Sequence, residues 1–301
     1  MIDTIHMYTD DPSTLDSFDI NCLDSCKLKY GDYGYYQCGT LSNFLVIINE
    51  RKIKIQGSLT KYFLNNNIKN MNRLQIYEAF QKLENALGIP IGDFRISRID
   101  IGVTFEMNSI VANYLDTLIE LPNYAIEIHP NESKYFKNGR KTLSFYDKYK
   151  ECISNKTLTY TLSNTRKLLR YEIQIQEAYK VLGVATINDL YKDKYLGKLV
   201  EMWKDYFHKI KKSKKLIDVE LIELNKPKDF DSYLACIGKD EMGKQETFNL
   251  LNKLCDANKI DRRRKSDITK RIEANEMKFC RTNKYVKELE DKVDRHANTF
   301  I

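Results

Sequence analysis

The dominant period of hydrophobic and polar positions differs between the two parts of this chain. Up to about residue 178 apolar residues mostly alternate with polar ones, as in strands with one buried face; beyond it they recur every three or four residues, as in helices. Residues 2–8 alternate as a strand, and the turn signal Pro12-Ser13 opens a short helix to about Phe18. Three strand-like runs follow at 33–38, 44–48 and 52–56, the last two broken by Asn49-Glu50-Arg51, which predicts a hairpin or meander. From the N-cap Asn72 a helical stripe of Leu74, Tyr77, Phe80, Leu83 and Leu87 runs to the breakers Gly88 and Pro90.

Residues 94–106 form a long strand in which Ile96 and Ile99 are out of phase, which predicts a bulge near Ser97. Past the bulge Arg98, Asp100, Gly102 and Thr104 share one face. An aspartate inside an apolar strand is costly unless it is paired or metal-bound, so Asp100 is either a site residue or the partner of Arg98. A helix over 108–120 ends at Pro122, a strand follows at 124–129, and the run Glu132-Ser-Lys-Tyr-Phe136 leads to a turn at Gly139. From residue 141, Leu143 and Phe145 alternate with Ser144, Tyr146 and Lys148, so Tyr146 and Lys148 share a strand face with Glu151 just past its end. A phenol oxygen, a phosphate-pairing cation and a carboxylate are the parts for attack on a phosphodiester. With 20 tyrosines in the chain, the same pattern also describes an amphipathic surface residue. Residues 152–165 read as polar and turn-like, and 168–176 are the last good strand, with Arg170, Glu172, Gln174 and Gln176 opposite Tyr171, Ile173 and Ile175.

Beyond it Leu196, Leu199, Val200, Trp203, Phe207 and Ile210 form an amphipathic stripe, and helices are predicted near 228–236, 241–257, 265–279 and 283–296, with one further strand at 217–224. The expected fold class is therefore α+β: a largely antiparallel sheet with helices packed on it over residues 1–178, then a mainly helical DNA-binding or dimerisation region over 179–301. The segments 245–258 and 266–279 fit either a helix-turn-helix or a merely packed pair.

Composition narrows the class. The chain of 301 residues, 42% hydrophobic, can bury a sizeable core; it has no apolar run of membrane-spanning length and no signal-peptide pattern, so a cytoplasmic location in a bacterial host is expected. Seven cysteines without a C-x-x-C pair read as reduced thiols, and the spacing of Cys22, Cys26 and Cys38 with His6 is loose for zinc. The net charge of +7 permits nucleic-acid binding, and its distribution sharpens the point: Lys209, Lys211, Lys212, Lys214 and Lys215 cluster, as do Arg262, Arg263, Arg264 and Lys265. Each cluster is also an ordinary solvated helix end when taken alone.

Four blocks in order carry a family likeness: the opening Met-Ile-Asp, Ser97-Arg-Ile-Asp100, Thr142-Leu-Ser-Phe-Tyr-Asp-Lys148 with Glu151, and Leu169-Arg-Tyr-Glu172 leading to Tyr179 and Leu182-Gly183. Over roughly residues 1–185 the chain resembles rolling-circle replication initiators of the filamentous-phage gene II protein type, and it is also similar to those of small staphylococcal plasmids. The resemblance implies a nicking and closing enzyme whose tyrosine, at Tyr146, stays attached to a 5′ phosphate while freeing a 3′ hydroxyl. A divalent ion to polarise the scissile phosphate fits that chemistry, and Asp100 and Glu172, the two acidic residues set on sheet faces beside arginine, are the expected carboxylate ligands for Mg²⁺ or Mn²⁺. Lys148, Arg98 and Arg170 would then pair with phosphate oxygens. Origin DNA, single-stranded or supercoiled, is the expected partner, with a host helicase and polymerase, or a second copy of the chain, beside it. Many rolling-circle nucleases use a His-apolar-His pair instead, and no two of His6, His129, His208 and His296 are neighbours here. The alternatives are a relaxase-like or transposase-like nickase using the same tyrosine, and a non-catalytic origin-binding protein that reads DNA through its basic helices.

Overall fold

The computed structural model describes residues 1–31, 34–157, 167–183, 185–213, 226–279 and 283–300. The chain opens with β1 (Ile2–Thr9), α1 (Pro12–Ser17), β2 (Asp24–Gly31), β3 (Gly34–Leu41), β4 (Phe44–Asn49), β5 (Lys52–Ser58), α2 (Leu59–Leu64) and α3 (Arg73–Leu87). It continues with β6 (Arg95–Glu106), α4 (Val111–Leu115), β7 (Leu118–Glu120), β8 (Ala125–His129), β9 (Ser133–Asn138), β10 (Lys141–Asp147), α5 (Lys148–Ser154) and β11 (Leu168–Gln176). Then come α6 (Ala178–Leu182), α7 (Ile187–Leu190), α8 (Asp193–Lys209), β12 (Lys211–Lys212), α9 (Pro227–Met242), α10 (Lys244–Asp256), α11 (Arg262–Phe279) and α12 (Lys284–Phe300). The α+β expectation holds: a ten-stranded antiparallel sheet in the order β2-β3-β4-β5-β1-β6-β11-β10-β9-β8 is followed by helices.

One face of the sheet is the core. Ile2, Ile101, Ile173, Leu143 and Phe136 stand side by side across five strands, none more than 1% exposed. Next to that row Tyr171 stacks on Phe145 at 4.4 Å and on Trp203 of α8 at 4.8 Å, and its hydroxyl donates to the Trp203 carbonyl at 2.9 Å. The stripe read along α8 is buried throughout, from Leu196 to Ile210.

Contacts divide the chain into Met1–Lys212 with Leu289–Ile301, and Ser213–Glu288. The first unit thus runs past the change of period near 178 and takes back most of α12, whose Leu289, Val293 and Ala297 are buried. There Asp294 pairs with His208 at 2.8 Å and Lys204 at 3.2 Å. In the second unit α9, α10 and α11 pack on one another. Among the described residues no helix is long and apolar enough to cross a membrane.

Several elements differ from the sequence expectation. The helix expected over 108–120 is only α4, because Lys134 of β9 donates to the carbonyls of Leu115 and Leu118, both at 2.7 Å, and Leu118 pairs with Lys212 in a two-stranded sheet. The strand β2 has no counterpart in the sequence expectation: seven of its eight residues are exposed, so no apolar alternation marks it. In α3 the buried stripe is Ile76, Ala79, Phe80, Leu83 and Leu87, while Leu74 and Tyr77 face outward. The strand expected at 217–224 lies outside the described residues.

The start of α3 carries a reciprocal cap. Asn72 Oδ1 accepts from the Gln75 amide at 2.9 Å and Gln75 Oε1 accepts from the Asn72 amide at 3.0 Å. Asn72→Ala removes one bond of the pair and is expected to lower stability by about 1 kcal/mol, read from the urea midpoint.

Candidate active site

The other face of the sheet is polar, and the central strands bring the sequence's site residues onto it. The bulge expected near Ser97 is present: His6 pairs with Arg98 and Met7 with Ile96, leaving Ser97 as the extra residue. Beyond it Arg98, Asp100, Gly102 and Thr104 alternate out of the core. Across the strands Tyr146 stands opposite Arg170 and Arg170 opposite Thr104, while Ser144, Glu172 and Gly102 form the neighbouring row.

Arg170 is the hub of this face, 1% exposed. Its Nε donates to Glu172 Oε2 at 3.0 Å, its Nη1 to the Asn67 carbonyl at 3.0 Å and to Thr104 Oγ1 at 3.1 Å, and its Nη2 pairs with Asp3 Oδ2 at 2.7 Å. Burial works against its charge, yet Asp3, Tyr146 and Glu172 hold its pKa above the ordinary arginine value. Gly102 is required beneath it, since a Cβ there would lie 2.7 Å from Nη2. Asp3 reaches the hub from a stretch where the β1–β6 register shifts between Ile2 and Ile5, as a bulge re-aims a side chain. Sequence reasoning gives Asp3 no role; its only signal is its place in the opening Met-Ile-Asp block.

Arg98 grips Asp100 with two bonds, Nε to Oδ1 at 2.8 Å and Nη2 to Oδ2 at 2.5 Å. Asp100 is 1% exposed. Burial, aided by the Glu172 and Asp3 carboxylates, pushes its pKa up to about 7 against the pull of Arg98. Asp3, Asp100 and Glu172 thus outnumber the two arginines between them. Among the described residues no group of three or more His, Cys, Asp or Glu is placed to hold a metal ion by itself.

Tyr146 sits at the edge of this cluster, partly exposed. Burial first, then Glu172, Asp3 and Glu151, raise its phenol well above the ordinary tyrosine value, and Arg170 opposes them. Lys148 does not share the strand face that the alternation implies: Asp147 caps α5 by accepting from the Lys150 amide at 3.0 Å, and Lys148 is the first helical residue. The turn still brings it to Tyr146, with its Nζ 5.7 Å from the ring centroid. Lys148 is 0% exposed, and Glu151 Oε2 at 2.7 Å neutralises its charge from off the hydrogen-bonding direction, leaving the Nζ donors unsatisfied.

Of the residues expected to meet DNA, Arg170 donates to Glu172, Asn67 and Thr104 and pairs with Asp3. Lys211 is exposed, whereas Lys212 is tied inward, donating to the Phe207 carbonyl at 2.9 Å and lying 3.5 Å from Glu290. Arg262, Arg263 and Arg264 are exposed at the start of α11, and Lys214 and Lys215 lie outside the described residues.

His6, beside Arg98, has its imidazole pKa held down at about 4 by burial and by that guanidinium. In the unfolded chain it titrates near 6.5, so between pH 6.5 and 4 the unfolded state binds more protons and stability falls as pH falls. His6→Gln is expected to flatten that limb in melting scans across pH; an unchanged slope overturns the assignment.

No curated protein matches the chain. Residues 41–187, from β4 through β11 and with Asp100, Tyr146, Glu151 and Glu172 among them, match the family model for the N-terminal domain of the phage replication-associated gene II protein. Over that stretch the chain is similar to the N-terminal domain of replication-associated proteins of the filamentous-phage gene II type.

Proposed function

We propose that this protein initiates rolling-circle replication by nicking its origin with Tyr146 and later closing the strand. The phenol oxygen attacks the scissile phosphorus; the bond from phosphorus to the 3′ oxygen breaks as the phosphotyrosine bond forms. The phenol gives up its proton and the departing 3′ oxygen gains one, leaving a 3′ hydroxyl primer.

The observation that carries this reading is the convergence of Tyr146 and the carboxylates of Asp100 and Glu172 on one polar sheet face, with the buried Lys148 brought beside Tyr146 by the turn into α5. Lys148 has unsatisfied donors for a phosphate oxygen, and Arg170 is the charge that draws the Tyr146 phenol toward phenolate. Arg170 holds Glu172 and Asp3 in place, and Arg98 does the same for Asp100. The donor chemistry fits a hard divalent cation: Mg²⁺ is commonly held by one or two carboxylates completed by substrate phosphate, and the excess of carboxylate over arginine attracts one. Asp100 and Glu172 would hold Mg²⁺ or Mn²⁺, which when bound supplies Lewis-acid polarisation of the scissile phosphate.

The test is covalent. Incubated with Mg²⁺ or Mn²⁺ and supercoiled DNA carrying its own origin, the protein should form an adduct that mass spectrometry maps to Tyr146, and a chelator should prevent it. An adduct on Tyr149 or Tyr135, or a free 5′ phosphate with no adduct in a trapped reaction, overturns the reading.

A further inference from the structure

The polar face does not end at β6. It runs on across β1, β5, β4, β3 and β2, where the register sets Lys27, Cys38, Ile47, Lys54 and Tyr8 in one row, and where Lys29 faces Tyr36 and Asn49 faces Lys52. Tyr8 and His6 share a face of β1, and His6 is the register neighbour of Arg98, so this surface is continuous with the site around Tyr146. No carboxylate stands opposite Lys27, Lys29, Lys52 or Lys54 in the strand register. The Lys52 ammonium instead lies 5.9 Å from the Tyr8 ring centroid.

Within the lysines lies a concavity of about 160 Å³ lined by Tyr36, Asn49, Lys52, Lys54 and the glycines Gly31 and Gly34. A Cβ at Gly31 would come within 3.1 Å of the Tyr36 ring. The space suits one planar ring system and is small against the roughly 300–1,000 Å³ of a drug-sized ligand site.

We propose that this face of β1–β5 is a single-strand DNA track, which leads the strand flanking the scissile phosphate away from Tyr146 and stacks one of its bases on Tyr36. Unpaired lysines neutralise phosphates, and tyrosine faces offer stacking that only unpaired bases can accept, which together select a single strand over a duplex or an acidic protein. Six strand spacings separate β10 from β3, about 29 Å at ~4.8 Å each, enough for several nucleotides. Tyr8, Lys27, Lys29 and Tyr36 precede residues 41–187, the span matched by the family model. The track deepens the nicking reading, on which its orientation toward Tyr146 rests.

The experiment uses the full chain carrying Tyr146→Phe and a fluorescent oligothymidylate of about 20 nucleotides, followed by anisotropy across a salt series. Adding Lys27→Gln, Lys29→Gln, Lys52→Gln and Lys54→Gln together should weaken binding at least tenfold, with the slope of log affinity against log salt shallower by about 0.7 per lysine. Tyr36→Ala alone should cost about tenfold, as the loss of one base–aromatic stack does. Unchanged affinity and slope in a variant with native circular dichroism overturns the track, as does an equal loss for duplex DNA. As a check independent of the variants, 5-iododeoxyuridine in the oligonucleotide should photo-cross-link the unsubstituted chain at Tyr36 or Tyr8; cross-links confined to residues 213–288 overturn it. Failure of the track and of the nicking reading are distinct: loss of oligonucleotide binding without any Tyr146 adduct leaves the track standing alone. An adduct with undiminished binding by the lysine variant removes the track and leaves the nicking.

Discussion

Tyr146→Phe is expected to reduce origin nicking by about 10⁴-fold or more while leaving origin binding within a few fold, because it deletes the attacking oxygen and little else. The ring survives the change, so its place 5.7 Å from the Lys148 ammonium and its half-buried packing persist. Relaxation of supercoiled origin plasmid, followed on gels, reads the nicking, and anisotropy reads the binding. The size of the loss separates nucleophile from bystander: a hydroxyl that merely positions DNA would cost tenfold or so, whereas a missing nucleophile leaves only background hydrolysis. A variant that nicks within tenfold of the parent removes Tyr146 from the chemistry and returns the protein to an origin-binding role.

Arg170→Met should be the most destabilising single change on the polar face, by about 3–5 kcal/mol, because it strips the counterion from the buried Asp3 and the part-buried Glu172 at once. Asp3 and Glu172 would then face each other with the raised Asp100 carboxyl close by, and Asn67 and Thr104 would each lose a donor. Those carboxylates would ionise less readily in the folded variant than in the unfolded chain, so the variant would bind extra protons when folded. Its deficit should therefore shrink as pH is lowered into the carboxylate range. Urea unfolding at several pH values measures this, and Asp3→Asn with Glu172→Gln in the Arg170→Met background should restore much of the loss. A variant that melts with the parent at neutral pH would show that the hub is dispensable for folding.

Much of the site is legible in the chain itself, and particular residues show why. The out-of-phase pair Ile96 and Ile99 marks a bulge because side chains alternate strictly along a strand, and the structure places the extra residue at Ser97. The same alternation puts Asp100 on one face with Arg98, and Arg170 with Glu172, and both pairs are ion pairs. The stripe from Leu196 to Ile210 marks α8 for the same reason, with a period of 3.6 in place of 2.

Lys148 shows where such reading stops. Alternation extends the strand through it, but Asp147 starts a helix there, and capping is a local competition that the apolar pattern does not record. β2, with its exposed lysines, has no apolar period to read and is ordered by pairing with β3.

The sequence by itself determined which side of its element each residue of the site occupies, Lys148 and Asp3 excepted, together with the order of the motifs and the change from strand to helix near residue 178, because these follow from local side-chain periodicity. Only the tertiary structure decided which strands are neighbours. It set β1 between β5 and β6, brought Asp3 to Arg170, let Arg98 occupy Asp100, joined the β2–β5 surface to the site and returned α12 to the sheet-bearing unit. A strand's period says which face is buried and nothing about the partner; the partner is chosen by packing and pairing between segments far apart in the chain, of which no short stretch of sequence carries a record.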